Sequence, residues 1–353
     1  MKRYKLKVEP LTALHIGTGE EYNPLEYRIH DGYLERFSLP KLLEDLPPEK
    51  RPQLYAAIES LNPKPLLELL HNFLKPQHIL YRLKASASVI QKYSANFGNT
   101  ENQLLIGETY KSPTSYKPVL PGSSLKGAIR TAVVNLVAQS QKGLRIRNPR
   151  FAEQDILQHQ SAQEDPFRAL HISDCELEAE MAVSDFWNYA PRKDGGSPFN
   201  SIQMFKEYTR GKLMESSPVG YCELHIDDRL QAVSQKFFNW EPLKYKFDLV
   251  EVLNACTDFY RRNFEREFKK FYQHTPVPEL QRNMERVLSE INRVEPTAGE
   301  CVVRVGRFSQ VENVTLENFR KPQARNNRWG TTRTITENYF PPGYVKITVE
   351  KPW

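Results

Sequence analysis

Apolar and polar residues alternate at the start of the chain, which is the pattern of a strand that buries one face. The alternation runs over residues 4–9 and meets a glycine-containing turn at 14–19. Two further short strand-like segments flank Asp31-Gly32, a dipeptide that favours the tight turn of a β-hairpin. The N-terminal region is therefore predicted to contain a strand, a glycine turn and a hairpin.

A helical repeat, with apolar residues three or four positions apart, appears in three later regions. Ser38, followed by proline at position 40, predicts the start of a helical region at 38–74 that further prolines divide into short pieces. The apolar positions from Leu125 to Val137 predict an amphipathic helix. Residues 244–293 predict a second helical block, whose aromatic stripe we assign to the core.

Strand patterns separate these helices and suggest the fold class. Segments rich in β-branched and aromatic residues lie at 78–83, 169–177, 202–208, 220–226, 301–308 and 343–349. Their order with the helices is typical of ferredoxin-like βαββαβ units. We predict an α+β fold of two such units in tandem with helical insertions, divided into residues 1–165 and 166–353. The second unit also carries a basic, glycine-containing loop at 318–342.

The composition agrees with a folded globular protein of two units, because 39% of the 353 residues are hydrophobic and 26% are charged. The four cysteines, at 175, 222, 256 and 301, have no CxxC spacing, so we expect buried apolar side chains and no metal site. No apolar run approaches the ~20 residues that a membrane span needs. The N-terminus does not resemble a signal peptide, which favours the cytoplasm and no membrane partner.

Positive charge is concentrated near the C-terminus. The chain has a formal net charge of +6, and residues 301–353 alone contribute +5. A polyanion such as a nucleic acid is the natural partner of such a segment, although a solvated surface can carry the same charge.

Residues 121–130, PGSSLKGAIR, combine features that suit a phosphate. Gly122 allows close backbone approach, and Ser123 or Ser124 is predicted to cap a helix whose free N–H groups attract an anion. Lys126 and Arg130 are four residues apart and share one side of that helix. A capped helix with a solvated basic face remains the alternative. The GxxxxGK[ST] loop of nucleotide hydrolases is absent, so nucleotide hydrolysis is rejected.

This segment resembles the PGSSLKGxxR signature of the RAMP superfamily, whose members bind CRISPR RNA on ferredoxin-like, RRM-type domains. Other segments are similar to the type III-A effector subunit, of the Csm complex, that lies at the 3′ end of the guide. They are residues 14–27 with 31–34 and 37, residues 165–168 with 173–174, and the C-terminal set 304–306, 332–333 and 342–346.

The resemblance implies a non-catalytic subunit without cofactors, which holds the 3′ part of the crRNA, caps the filament of backbone subunits and supports crRNA maturation. Its implied partners are crRNA, the repeated backbone RAMP subunit, the small helical subunit and recruited host nucleases. The expected RNA-binding residues are His15, Gly17, Gly19, Gly122, Ser123, Ser124, Lys126, Arg130, Arg304, Arg307, Arg325, Arg328, Arg333 and Lys346. Base-stacking platforms are expected from Tyr22, Tyr116, Phe308, Trp329 and Tyr344.

Three alternatives stay open. A metal-independent endoribonuclease would use His15 as its general base, because histidine can take the proton of a 2′-hydroxyl. A different type III RAMP backbone subunit would share the same motif, but the first loop, residues 20–26, has glutamates where target-cutting subunits have an aspartate. A structural end-piece that contacts mainly protein would use the helical insertions for docking.

Overall fold

A computed structural model describes residues 2–60, 62–141, 143, 146, 148–192, 196–200, 202–227, 245–317 and 330–350. The strands in these ranges are β1 (Lys2–Pro10), β2 (Gly17–Tyr22), β3 (Tyr27–His30), β4 (Tyr33–Phe37), β5 (Ile79–Ala85), β6 (Ile106–Thr109), β7 (Val119–Leu120), β8 (Leu170–Ile172), β9 (Cys175–Glu178), β10 (Met181–Tyr189), β11 (Phe199–Asn200), β12 (Phe205–Thr209), β13 (Val219–Ile226), β14 (Glu300–Arg304), β15 (Arg333–Thr336) and β16 (Tyr344–Glu350). The α-helices are α1 (Leu39–Glu44), α2 (Arg51–Glu59), α3 (Pro63–Phe73), α4 (Ala87–Asn96), α5 (Gly122–Ser140), α6 (Ala152–Leu157), α7 (Leu249–Glu267) and α8 (Pro278–Asn292).

The first sheet has the strand order β14-β16-β1-β13-β9-β7, and β8 also pairs with β13. Its strand pairs are antiparallel. On β1 the predicted alternation is confirmed, because Leu6 and Val8 are buried while Lys5 and Lys7 are on the other face and partly exposed.

The second sheet has the order β2-β6-β12-β10-β5-β4-β3, and β11 and β15 also pair with β10. The pairs β10–β5 and β12–β6 are parallel. The predicted hairpin is β3–β4, and its turn residues Asp31 and Gly32 both have positive φ, as such tight turns require.

The main core lies between the first sheet and the helices α5, α7 and α8. Burial of the predicted aromatic stripe is confirmed, because Tyr260, Phe264 and Tyr272 are fully buried. A π-helical turn, Phe268–Tyr272, continues α7 and carries the stripe to its end. Within the described ranges no helix is long and apolar enough to cross a membrane.

The α+β class is confirmed, while the finer architecture remains a prediction. Both sheets combine strands from the two sides of residue 165, because β1 and β7 join the first sheet and β10 and β12 join the second. The tandem ferredoxin-like arrangement and the domain boundary at residue 165 therefore stay predictions.

Several elements differ from the sequence expectation, among them α4, β10 and β15. Residues 87–96 form α4, which Ser86 caps, in a segment for which the sequence predicted no element. β10 was not predicted; it is central in the second sheet and buries the polar residues Ser184 and Asp185, which break the usual alternation. β15 lies within the expected loop 318–342, most of whose N-terminal half, 318–329, is outside the described residues.

Candidate nucleic-acid interface

A groove of about 530 Å³ opens between α5, the N-terminal glycine turn and the loop after β14. The three segments lie roughly a hundred or more residues apart in the sequence. Small residues line the α5 side, and Arg307 lies on the opposite loop. The wall includes Ile16, Gly17, Ser124, Gly127, Ala128, Thr131, Gly306, Arg307, Ser309 and Asn313.

Glycines in the C-terminal region hold the N-terminal turn in place. Gly306 has φ +90°, and a Cβ there would lie 2.5 Å from the His15 carbonyl oxygen. Gly343 has φ +100°, and its N–H donates to the Ala13 carbonyl over 2.8 Å. Neither position tolerates a side chain without strain. The family-like segments at both ends of the chain therefore meet at this turn.

The N-terminus of α5 is built differently from the prediction. Its N-cap is Pro121, and neither Ser123 nor Ser124 caps the helix. Instead the Gly122 N–H donates to the Asp174 carboxylate over 2.8 Å. A Cβ on Gly122 would lie 2.1 Å from the Ile172 carbonyl oxygen, so only glycine fits there. The predicted serine cap is wrong, and because the Asp174 carboxylate already accepts from the first N–H of α5, a phosphate at this helix end would meet a negative charge.

Lys126 and Arg130 lie on the side of α5 that faces away from the groove. Arg130 forms ion pairs with Asp165 at 2.8 Å and with Glu153 at 2.7 Å, and its guanidinium lies over the Phe167 ring. Lys126 forms no ion pair with a described residue, and partial burial lowers the pKa of its ammonium. The structure therefore gives Arg130 a partner inside the protein and leaves only Lys126 open.

Two of the arginines expected to bind RNA are fully buried. Arg304 pairs with Glu267 at 2.9 Å and lies over the Tyr344 ring, while Arg333 pairs with Glu312 at 2.8 Å and lies over Phe271. Arg304 is among the residues that line the groove, but neither side chain is exposed to solvent, so neither guanidinium is available to RNA in this structure. Tyr22 and Tyr344 are also buried and cannot stack on bases.

The other expected contacts divide into open, paired and undescribed residues. Arg307 is exposed, and its guanidinium forms no ion pair in the part of the chain that the structure describes. Lys346 pairs with Glu300 at 2.5 Å. Phe308 packs on the His15 ring, and Tyr116 packs beside Tyr81. Arg325, Arg328 and Trp329 lie outside the described residues.

His15 is buried at the edge of the groove, and contacts with Glu207 and Phe308 hold its ring in place. Its Nδ1 lies 2.7 Å from the Glu207 carbonyl oxygen, and its ring centroid lies 5.7 Å from that of Phe308. Burial lowers the pKa of the imidazole to about 4, so the ring is neutral at physiological pH. A smaller polar cavity of about 270 Å³ lies in front of the ring, lined by Gly17, Gly19, Lys206 and Arg307 among others.

A buried carboxylate behind His15 was not predicted. The Glu207 side chain accepts hydrogen bonds from Tyr22 at 2.6 Å and Tyr81 at 2.8 Å and pairs with Lys111 at 2.6 Å. These partners fix the strand that holds the histidine. Only the position of Glu207 inside a predicted strand could have drawn attention to it.

Gly127, Ala128 and Thr131 were also not predicted as groove residues. With Ser124 they place small side chains at positions i, i+3, i+4 and i+7 of α5, which is a readable signal for one small-residue face. Among the described residues no cluster of three or more His, Cys, Asp or Glu side chains could hold a metal ion, and all four cysteines are buried.

Comparisons with known proteins agree with the motifs around the groove. The family model described as the RAMP superfamily matches residues 7–281, which include the glycine turn and α5. A curated relative from Methanocaldococcus jannaschii, described as "CRISPR system Cms protein Csm5", is 27% identical over 317 residues. This alignment covers 82% of the chain and 68% of the relative.

Two solved structures share the fold. One is a chain of the "Cryo-EM structure of Csm-crRNA-target RNA ternary complex in type III-A CRISPR-Cas system", with a TM-score of 0.69 and 18% identity over 99% of this chain and 100% of that chain. The other is the "Crystal structure of T.onnurineus Csm5", with a TM-score of 0.63 and 17% identity over 96% of this chain and 99% of that chain. At these identities the likeness is one of fold.

Proposed function

The chain belongs to the RAMP superfamily, and from this premise we propose that it is a non-catalytic crRNA-binding subunit of a type III-A CRISPR effector complex. In this role it holds the 3′ part of the guide, caps the filament of repeated backbone subunits and supports crRNA maturation. The curated Csm5 relative and the fold shared with a chain of a Csm–crRNA–target RNA complex support the assignment to this assembly.

One observation carries the RNA-binding part of the proposal: three distant segments line one open groove. The groove combines small side chains from α5, the glycine turn at Gly17 and the exposed guanidinium of Arg307. Small residues allow a sugar-phosphate backbone to approach the main chain, and an arginine without an internal partner can bind a phosphate. Such contacts hold RNA without reading its sequence, as a subunit that accepts many guides requires.

The proposed protein partners are the repeated backbone RAMP subunit, the small helical subunit and recruited host nucleases, in the cytoplasm. Exposed apolar side chains in the helical region 38–74 support a role of this region in docking a protein partner. Tyr55 is 59% exposed and Ile58 is 53% exposed on α2, which leaves large apolar side chains in solvent.

A charge-reversal experiment at Gly127 tests whether RNA occupies the groove. A Cβ at Gly127 meets no atom within 4 Å, so a side chain can start there without a clash, and Gly127→Glu and Gly127→Gln are nearly equal in size but differ in charge. We expect Gly127→Glu to weaken binding of labelled single-stranded RNA at least tenfold more than Gly127→Gln, because the carboxylate repels phosphates. Equal binding by the two variants would place the RNA elsewhere.

The salt dependence of binding tests the role of Arg307. Arg307→Ala should lower the slope of log affinity against log salt by about one, the loss of one phosphate contact. Arg51→Ala removes the same charge from the exposed start of α2 and is the matched control, for which we expect no change.

The position along the guide is tested in a reconstituted complex of crRNA and backbone subunits, with and without this chain. We expect nuclease protection of the 3′ part of the crRNA only when the chain is present.

A cleavage assay on the purified chain tests the endoribonuclease alternative. RNA cleavage that is lost in His15→Phe would replace the proposal with that alternative.

A further inference from the structure

The His15 ring has one nitrogen, Nε2, that forms no hydrogen bond within the described part of the protein and faces the small cavity. Its Nδ1 lies 2.7 Å from the Glu207 carbonyl oxygen, and because a carbonyl only accepts, Nδ1 carries the proton. The neutral ring then has a lone pair on Nε2. Nε2 has no hydrogen-bond partner among the residues that the structure describes. The ring cannot easily turn away, because Phe308 and Phe186 pack against it.

The space in front of Nε2 exists because residue 17 is glycine. A Cβ built on Gly17 would lie 3.1 Å from Nε2, which is close to the distance at which a hydroxyl oxygen donates to nitrogen. The backbone of Gly17 is not in the left-handed region, so its φ does not require glycine. The missing side chain therefore leaves room for one polar group of a ligand.

The space in front of Nε2 is lined by charges of both signs: Arg307 and Lys206 are basic, whereas Glu20, Glu21 and Glu108 are acidic. Arg307 lines both the groove and the small cavity in front of His15, so the two spaces meet at Arg307 and Gly17. Lys206 lies in the same cavity, where it pairs with Glu21 at 2.9 Å. A phosphate at Arg307 would bring the neighbouring ribose close to the histidine.

We propose that His15 makes the groove selective for RNA over DNA, because its Nε2 accepts a hydrogen bond from the 2′-hydroxyl of a bound nucleotide. The inference rests on the proposed function, since it needs a nucleic acid in the groove. A deoxyribose offers no donor at this position and forms no hydrogen bond with Nε2, which favours RNA over DNA. Gly17 is a positioning residue here, because its lack of a side chain admits the hydroxyl.

The test compares labelled oligouridylate with oligodeoxyuridylate of the same length, two strands that differ only in the 2′-hydroxyl. We expect the wild-type chain to bind the RNA strand roughly three- to tenfold more tightly, the effect of one hydrogen bond. Gly17→Ala places a methyl group in front of Nε2, so it should weaken RNA binding more than DNA binding and bring the RNA:DNA affinity ratio to near one. A strand with 2′-O-methyl groups, which cannot donate, should bind the wild-type chain like DNA.

Several outcomes would overturn the inference. Equal binding of the two strands by the wild-type chain would reject the role of His15 but leave the proposed function standing, whereas binding of neither strand would reject both. An unchanged RNA:DNA ratio in Gly17→Ala would show that the selectivity arises elsewhere. His15→Phe is a second variant that keeps an aromatic ring against Phe308 but removes the acceptor, and the ratio should fall there as well. RNA cleavage that depends on His15 would make it a catalytic base instead.

Discussion

Arg304 and Arg307 lie three residues apart in the sequence but in opposite environments. Arg304 ends β14 with its side chain fully buried against Glu267, while Arg307 is exposed on the loop that borders the groove. The sequence assigned both to RNA because both belong to the same basic segment. Their difference shows that a cluster of positive charge locates a ligand only after the arginines with internal carboxylate partners are removed from it.

The buried arginines have a structural role that the exposed one lacks. Arg304 and Arg333 both lie near Glu267, at 2.9 Å and 3.4 Å, and Arg333 also pairs with Glu312. These residues come from β14, β15, α7 and the turn after β14, so the cluster joins separate C-terminal elements. A buried charge costs several kcal/mol unless it is paired, which makes each member dependent on the others.

The largest expected effect is a loss of stability on replacing Arg304, which tests the comparison of Arg304 with Arg307. Arg304→Met should lower the free energy of unfolding by about 3–5 kcal/mol, because it deprives the buried carboxylate of Glu267 of a cationic partner. Arg307→Met, the matched control, should change it by less than about 0.5 kcal/mol and should weaken RNA binding instead. Chemical denaturation of the two variants measures the difference. A stability loss at Arg307 as large as at Arg304 would break the comparison.

Local sequence patterns predicted many of the helices and strands. Which residues of the candidate site are open to a ligand depends instead on contacts between residues far apart in the sequence. The alternation of β1, the apolar repeat of α5 and the Asp31-Gly32 turn are local signals, and the structure contains all three elements. β10 escaped prediction because it buries polar residues whose partners, such as Lys92 for Asp185, lie far away in the chain.

The same limit applies to the candidate site. The importance of Gly122, Gly306 and Arg307 could be read from motifs. No local pattern shows that Arg304 forms an ion pair with Glu267, or that Arg130 forms one with Asp165, so that neither guanidinium is free for a ligand. The similar segment at residues 165–174 was a usable clue in hindsight, because Asp165 and Asp174 both contact the PGSSLKG helix.

Two glycines of one motif give the second contrast between a packed and an open position. Gly122→Ala should destabilise the protein by about 1–3 kcal/mol, because its Cβ would overlap the Ile172 carbonyl and force the backbone to move. Gly127→Ala meets no neighbour within 4 Å and should stabilise α5 by up to about 1 kcal/mol, as alanine favours a helix over glycine. Thermal unfolding measures both, and a destabilising Gly127→Ala would contradict the open groove.

The smallest expected effect separates the two basic residues that share one side of α5. Arg130→Met should cost about 1 kcal/mol of stability, because it leaves the partly buried Asp165 carboxylate without its arginine. Lys126→Met should leave stability within about 0.5 kcal/mol, since its ammonium has no ion pair among the described residues. If RNA extends around the N-terminus of α5, Lys126→Met should also reduce the salt dependence of binding, while Arg130→Met should not. The opposite result, a reduced salt dependence in Arg130→Met alone, would mean that RNA displaces Asp165 from Arg130 and that the paired arginine is the true contact.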